Sequence, residues 1–366
     1  MPIRPACCPF SDCPSRAGAP FEYRLDGHYE RGVGRRSIQR FECVACRRGF
    51  SEQTLRVDYR LKRPELLPRF FHDRVSKVTH RQSARIHACS RSTEERHFGR
   101  LREHCKAFHD KQMALMAARG GLGEVFLFDE QETFEHSRLK KPVTVPVLIE
   151  RHSGFVFDCR VGALAPRGKK RGRRAAGDGA KPQVSAAAAP TAGAEPQSAV
   201  QAQVPPAPEP PPAPKPEPRR RSESRAKVKE AFERLRECSP KDKPITVLTD
   251  MKKTYGVLLR RLFGERCRHL RTISTLKRDT RNPLWHINHT LARTRDGVSR
   301  LVRRSWAASK LRQRLEGHLF LWTCYRNYVR GKTNHEPRTT PAMALGLQPL
   351  PWSVPALLEL RVFPGS

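Results

Sequence analysis

Residues Val125–Phe134 read VFLFDEQETF: a short, β-rich apolar run that ends in Asp129, with a second carboxylate, Glu130, directly behind it. Far downstream, Ile245–Asp250 (ITVLTD) repeats the device, an apolar run delivering one acid at its end. A strand inside a sheet holds its terminal carboxylate rigidly, where a loop would let it wander. Two rigid acids brought together by a sheet suit a divalent-metal phosphoryl-transfer site, because close carboxylates repel unless a cation neutralises them. Either Asp alone could simply end a strand; the rest of the chain favours the metal site.

The 366 residues have room for two or three domains and a sizeable core. Lys and Arg number 71 against 36 Asp and Glu, a formal net charge of +35, and the excess runs from Arg31 to Arg330. A bias spread this widely implies a polyanionic partner, with nucleic acid as the first candidate. No apolar run approaches a membrane span, and MPIRPACCPF lacks the hydrophobic segment of a signal peptide. The expectation is a cytoplasmic, nucleoid-associated protein whose 11 Cys are thiols or metal ligands.

Upstream of the first acid, Cys8 and Cys13 form a C-x4-C pair, and Cys43 and Cys46 a C-x2-C pair. Two such knuckles close on one tetrahedral zinc ion as a zinc ribbon, with Cys7 an alternative to Cys8. Phe41 and Phe50 flank the second pair and would pack the small core that the metal permits. Leu61–Phe71 reads as a linker or short helix interrupted by Pro64 and Pro68. Next come a short helix at Arg81–Ala88, a turn at Cys89–Arg91 and a helix from Ser92 to His104, with Ser92 and Glu95 as a capping box. That is a helix-turn-helix pattern, in which Arg91, Arg96 and Arg100 can reach bases or phosphates of double-stranded DNA.

Downstream, Val143–Glu150 and Phe155–Val161 predict a hairpin about His152-Ser-Gly154. Leu164–Arg221 is basic and then rich in Ala, Gly and Pro, a composition expected to be disordered. Helical spacing returns in Ser224–Glu237 and in Met251–Phe263, whose inner stripe is Tyr255, Leu258, Leu259 and Leu262; Cys267–Thr275 reads as a last strand. The order of elements predicts an α/β domain with a mixed central sheet covered on both faces. In Asn282–Asn327, Arg293, Arg295, Arg300, Arg303, Arg304 and Lys310 interleave with Trp285 and Trp306, a pattern suited to a nucleic-acid groove.

In this order, CPFSDC…CVACRRGFS, HRQSARIHACSRST, DEQETF, VLTD, INHTLARTRDGVSRLVRRSWAASK and the closing N-x-x-x-R…TPAMALGL resemble the transposases of small bacterial insertion sequences. The resemblance covers nearly the whole chain except the Pro/Ala insertion. It implies a multidomain protein: a small zinc ribbon (residues 1–58), an all-α helix-turn-helix region (59–118), and an α/β RNase H-like catalytic domain in two parts (119–163 and 222–335). The insertion (164–221) separates those parts, and a tail (336–366) follows. It further implies two-metal-ion DNA cleavage and strand transfer, with magnesium or manganese held by acids from the first and fourth strands and a third ligand from a later helix. These fall on Asp129, Asp250 and Asn288. Relatives of this kind commonly carry Glu at the third position, so Glu265 and Glu316 are the alternative third ligands. The implied partners are element ends and target DNA, bound by a homodimer or higher multimer. A regulator that keeps DNA binding without the chemistry, or a nuclease that does not join strands, are the competing readings.

Overall fold

The structure is a computed structural model that describes residues 4–5, 7–18, 20–32, 36–166, 220–273, 275–301 and 307–361. Among these, the N-terminal part is a three-stranded antiparallel sheet of β1 (Tyr23–Arg31), β2 (Arg36–Cys43) and β3 (Gly49–Ser51). Its core is Phe41 and Phe50, with ring centroids 5.4 Å apart, packed on the buried Cys8, Cys13 and Cys43.

Three helices follow: α1 (Leu66–Val75), α2 (His80–Ile86) and α3 (Arg91–Ala118). Pro68 does not interrupt α1, because it stands in the first turn, where its missing N–H has no helical partner to lose. The capping box belongs to α2, between Thr79 and Gln82. α3 starts one residue before the expected cap: Ser90 is the N-cap, accepting from the Thr93 N–H, and the helix spans 28 residues. Its buried stripe, including Phe98, Leu101, Cys105 and Phe108, joins the main core. Gly121, at a φ of +87°, ends the connection from α3 within contact distance of the Ser239 backbone, where a side chain would not fit.

The large sheet is mixed. Its strands are β4 (Val125–Phe134), β5 (Pro142–Glu150), β6 (Val156–Asp158), β7 (Gly162–Ala163), β8 (Ile245–Thr249) and β9 (Cys267–Arg271). The order is β6-β5-β4-β8-β9, with the short β7 also paired to β5. β4–β5 and β5–β6 are antiparallel, whereas β4–β8 and β8–β9 are parallel. The parallel strands need crossovers, supplied by α4 (Ser224–Cys238) and α5 (Lys253–Phe263).

Alternation along the strands fills two cores. On one face Phe126, Phe128 and Val247 pack with Phe232 of α4, Tyr255 of α5 and residues of α1 and α3. On the other, Leu127, Val147 and Leu248 pack with Ile287 and Leu291 of α6 (Trp285–Gly297) and Leu319 of α7 (Arg312–Cys324). α7 continues as a π turn at Tyr325–Val329; α8 (Pro341–Ala344) and α9 (Val354–Glu359) are the last elements among the described residues. The chain is thus an α/β protein with a small antiparallel sheet at its cysteine cluster and a mixed sheet with helices. Within the expected insertion, residues 167–219 lie outside the described residues, as do Arg303, Arg304 and Trp306. Among the described residues, no helix is long and apolar enough to cross a membrane.

Candidate active site and cysteine cluster

Leu127 of β4 pairs with Leu248 of β8 in parallel register. Two residues further on, Asp129 and Asp250 stand level with each other and on the same face as the two leucines. β8 ends at Thr249 while β4 runs on to Phe134, so a cleft opens at the carboxyl end of the parallel pair, the usual place for a ligand in such sheets. The cleft has a volume of about 360 Å³, and Asp129, Asp250 and Asn288 line it together with Glu132, Arg278 and Arg295. Leu284, Asn288, Leu291 and Arg295 follow helical spacing down one side of α6, so the face that packs on Leu127 also presents Asn288.

Both acids are oriented by backbone. Asp129 Oδ1 accepts the Glu130 N–H at 2.7 Å, and Asp250 Oδ1 accepts the Lys252 N–H at 2.9 Å. Burial raises the Asp129 carboxyl to about 6; the Glu130 N–H opposes the rise and the neighbouring Asp250 adds to it. A carboxyl held against both desolvation and a second acid gains most from a bound cation.

Glu130 takes no part in this pairing. It borders the cleft, but its carboxylate is engaged on the side of the opposite core, where Tyr255 Oη donates to it at 2.5 Å, Ser224 Oγ at 2.7 Å, Thr144 Oγ1 at 2.9 Å, and Lys252 pairs with it. Burial would raise its carboxyl, but the bonds from Lys252, Tyr255 and Ser224 outweigh it and hold Glu130 below the usual range. Of the alternative third ligands, Glu265 sits in the turn after α5 and Glu316 accepts the Val161 N–H at 3.0 Å; neither lines the cleft. Glu132, Arg278 and Arg295 enlarge the site. Glu132 was in view within the opening stretch, but Arg278 lies in a polar loop that gave no signal.

At the N-terminus the four sulfurs of Cys8, Cys13, Cys43 and Cys46 lie within 4.8 Å of one another. The Cys8–Cys46 and Cys13–Cys43 separations are 3.8 and 3.7 Å. A tetrahedron of ~2.3 Å zinc–sulfur bonds has edges of about 3.8 Å, so the four thiols fit a structural metal such as zinc. Cys7 is outside the set, with Arg16 Nη1 donating to its sulfur at 3.2 Å. Arg48 donates to Cys46 and, against the effect of burial, brings that thiol down to about 6, while also pairing with Asp12 at 2.8 Å.

The basic residues do not form one surface. Arg91 and Arg96 are exposed on α3 and Arg100 is half-buried; Arg91 pairs with Glu95 at 2.7 Å. Arg295 lines the cleft, but α6 ends at Gly297, and Arg300 turns inward, 8% exposed, with Nη2 donating to His80 Nε2 at 2.6 Å. Lys310 is exposed, and Arg293 lines a separate hollow beyond α6. The expected single row therefore breaks at the end of the helix. Compared with known families and with curated proteins, the chain matches no family model and no curated protein.

Proposed function

We propose that the protein is a DNA transposase of the insertion-sequence type, a metal-dependent phosphoryl transferase with an RNase H-like catalytic domain. The observation that carries this reading is the level placement of Asp129 and Asp250 on adjacent parallel strands, with Asn288 facing them from α6. The two acids belong to β4 and β8, which are neighbours in the sheet and which, counted without the two-residue β7, are its first and fourth strands in chain order, as the resemblance asks.

The donor set fits magnesium or manganese: two carboxylates and an amide oxygen are hard oxygen ligands. When bound, the metal supplies charge neutralisation for in-line attack on a phosphodiester by water or a DNA 3′-hydroxyl. The chain's own residues do the rest. The Glu130 and Lys252 N–H groups fix the two carboxylates in place. Arg278 and Arg295 at the cleft wall draw in the DNA backbone. Arg91, Arg96 and Arg100 on α3, preceded by the short α2, are the residues offered to the element ends. The cysteine cluster supplies a rigid zinc ribbon beside them in sequence.

Asn288 favours a second reading. An amide adds no negative charge and cannot serve as a base, so a DNA-binding protein that has lost strand cleavage would carry the same cleft. Cleavage of a labelled element end in magnesium or manganese decides between them. Under the enzyme reading wild type cuts, and Asp250→Ala and Asn288→Ala do not. Cutting only by Asn288→Glu would establish the DNA-binding reading.

A further inference from the structure

On the far side of α6 from the cleft, Arg293 meets Arg326 and Arg330 of the π turn and its exit in a hollow of about 300 Å³. We infer that this hollow holds one backbone phosphate of a nucleic-acid strand, a contact that deepens the DNA reading above and does not depend on strand cleavage.

Arg326 is the centre of the argument. It is 6% exposed, its Nε has no hydrogen-bond partner, and its Nη1 makes only a long 3.5 Å contact with the Gly331 carbonyl. Its Nη2 lies over the turn at Gly154, where an added Cβ would come within 3.3 Å. Arg293 is half-buried, with Nη1 donating to the Lys332 carbonyl at 3.1 Å, and Arg330 is exposed at the mouth.

Among the described residues none of these three guanidiniums is ion-paired with a carboxylate. The nearby acid, Asp296, is directed to Lys77 at 3.6 Å. Burial and then the charges of Arg293 and Arg330 disfavour the charged form of Arg326. Arginine nevertheless keeps its proton in proteins, so the repulsion is relieved by an anion rather than by neutralisation. The planar forks of Arg326 and Arg293 suit the oxygens of a phosphodiester, which accept such bonds in pairs. Trp322 and Tyr325 wall the hollow, and the exposed Arg330 leaves its mouth open to a strand passing over the surface. The same helix thus presents Asn288 to the cleft and Arg293 to the backbone.

The test is the salt dependence of duplex binding by the full chain, read by fluorescence anisotropy without added magnesium. Arg330→Gln and Arg293→Gln are compared with Arg236→Gln, which removes one exposed charge from α4 on the opposite face of the sheet. Loss of one phosphate contact lowers the slope of log K against log salt by about 1. The expected result is that fall in both hollow variants, roughly 5- to 10-fold weaker binding at 0.1 M salt, no change in Arg236→Gln, and retention of the slope in Arg330→Lys. An equal fall in Arg236→Gln would reduce the effect to bulk charge and overturn the assignment, as would unchanged slopes in both hollow variants. Unchanged slopes with inorganic phosphate raising the Tm of wild type but not of Arg330→Gln would assign the hollow to free phosphate and overturn the nucleic-acid contact. Wild type that fails to bind duplex at all would overturn this inference together with the transposase reading, whereas binding with unchanged slopes rejects the hollow alone.

Discussion

Asp129 and Asp250 stand level with each other, each two residues beyond the register pair Leu127–Leu248 on adjacent parallel strands. Their proximity has an electrostatic sign: the charge of Asp250 adds to burial in raising the Asp129 carboxyl to about 6. Removing either acid therefore removes repulsion from the fold and from an approaching phosphate. Asp129→Ala and Asp250→Ala are expected to abolish metal-dependent cleavage while duplex affinity stays equal or rises and Tm does not fall. Loss of binding in both variants, measured by anisotropy, would make the pair structural.

The adjacent carboxylate behaves in the opposite way. Glu130 is a hub for Lys252, Tyr255, Ser224 and Thr144, joining β4 to β5, α4 and α5. Truncating it leaves several partly buried donors without an acceptor, each costing on the order of 1–3 kcal/mol. Glu130→Ala should be destabilised by roughly 2–4 kcal/mol in urea unfolding, set by incomplete relaxation of that network. A stability equal to that of Asp129→Ala would contradict the separation of the two neighbours onto opposite faces.

The cysteine cluster makes a sharper distinction. Cys8 belongs to the set of four sulfurs and Cys7 is turned toward Arg16. Cys7→Ser should retain the zinc content of wild type by atomic absorption. Cys8→Ser and Cys43→Ser should lose it and, with it, the protection of β1–β3 amides from hydrogen exchange, because the Phe41–Phe50 core is too small to fold alone. Equal zinc in the Cys7 and Cys8 variants would leave the ligand assignment wrong.

What could be read in the chain beforehand follows the strength of its apolar patterning. β4, β8 and the β5–β6 hairpin are apolar runs bounded by turns or acids, and they were legible together with the two Asp residues; Asp250 does follow the end of β8, whereas β4 continues past Asp129 to Phe134, held by its pairing with β5. The β1–β2 hairpin was not, because β1 is largely exposed and its residues, YRLDGHYER, show no buried alternation. The length of α3 was hidden for a different reason. His97, His104 and His109 count as polar in any periodicity, yet all three are buried and bond to the distant carbonyls of Arg63, Leu357 and Phe157. The inward turn of Arg300 was equally out of reach, since nothing in the spacing of the arginines marks the end of α6 at Gly297. Asn288 was placed by resemblance, and its position in the cleft follows from the apolar stripe Leu284–Ile287–Leu291 that docks α6 on the sheet.

Three buried histidines, His104, His109 and His318, give the fold a direction of pH dependence. Nε2 of His104, His109 and His318 donates to the carbonyls of Leu357, Phe157 and Arg74 at 2.8, 3.0 and 2.8 Å. Burial lowers all three, His109 to about 4, against an ordinary value of 6.5. A depressed folded value means that the unfolded chain binds the extra proton first. The stability is thus fully present above pH 6.5 and is lost as pH falls toward 4. For His109 alone the shift is worth ~3 kcal/mol across that window. His109→Gln should be less stable at pH 7.5 but show a shallower loss between pH 6.5 and 4 in urea titrations. An unchanged slope would mean that His109 is already charged in the folded protein.

The two ends that flank residues 167–219 are stitched to the same part of the sheet. The Leu164 N–H donates to the Pro142 carbonyl at 2.9 Å, and Arg220 Nη2 donates to that same carbonyl at 3.2 Å and to Glu135 at 2.8 Å. Ala163 and Glu223 are bonded twice, through the Glu223 N–H to the Ala163 carbonyl and the Ala163 N–H to the Glu223 carboxylate, at 2.8 and 2.9 Å. The described residues on either side thus close the junction with their own hydrogen bonds. Replacing residues 167–219 by a short Gly-Ser linker is expected to raise stability by about 1–2 kcal/mol, because the entropic cost of closing a connection grows by ~0.6 kcal/mol with each doubling of its length. Cleavage and zinc content should be retained. An insoluble product, or a loss beyond about 2 kcal/mol in urea unfolding, would show that the segment contributes to the packed fold.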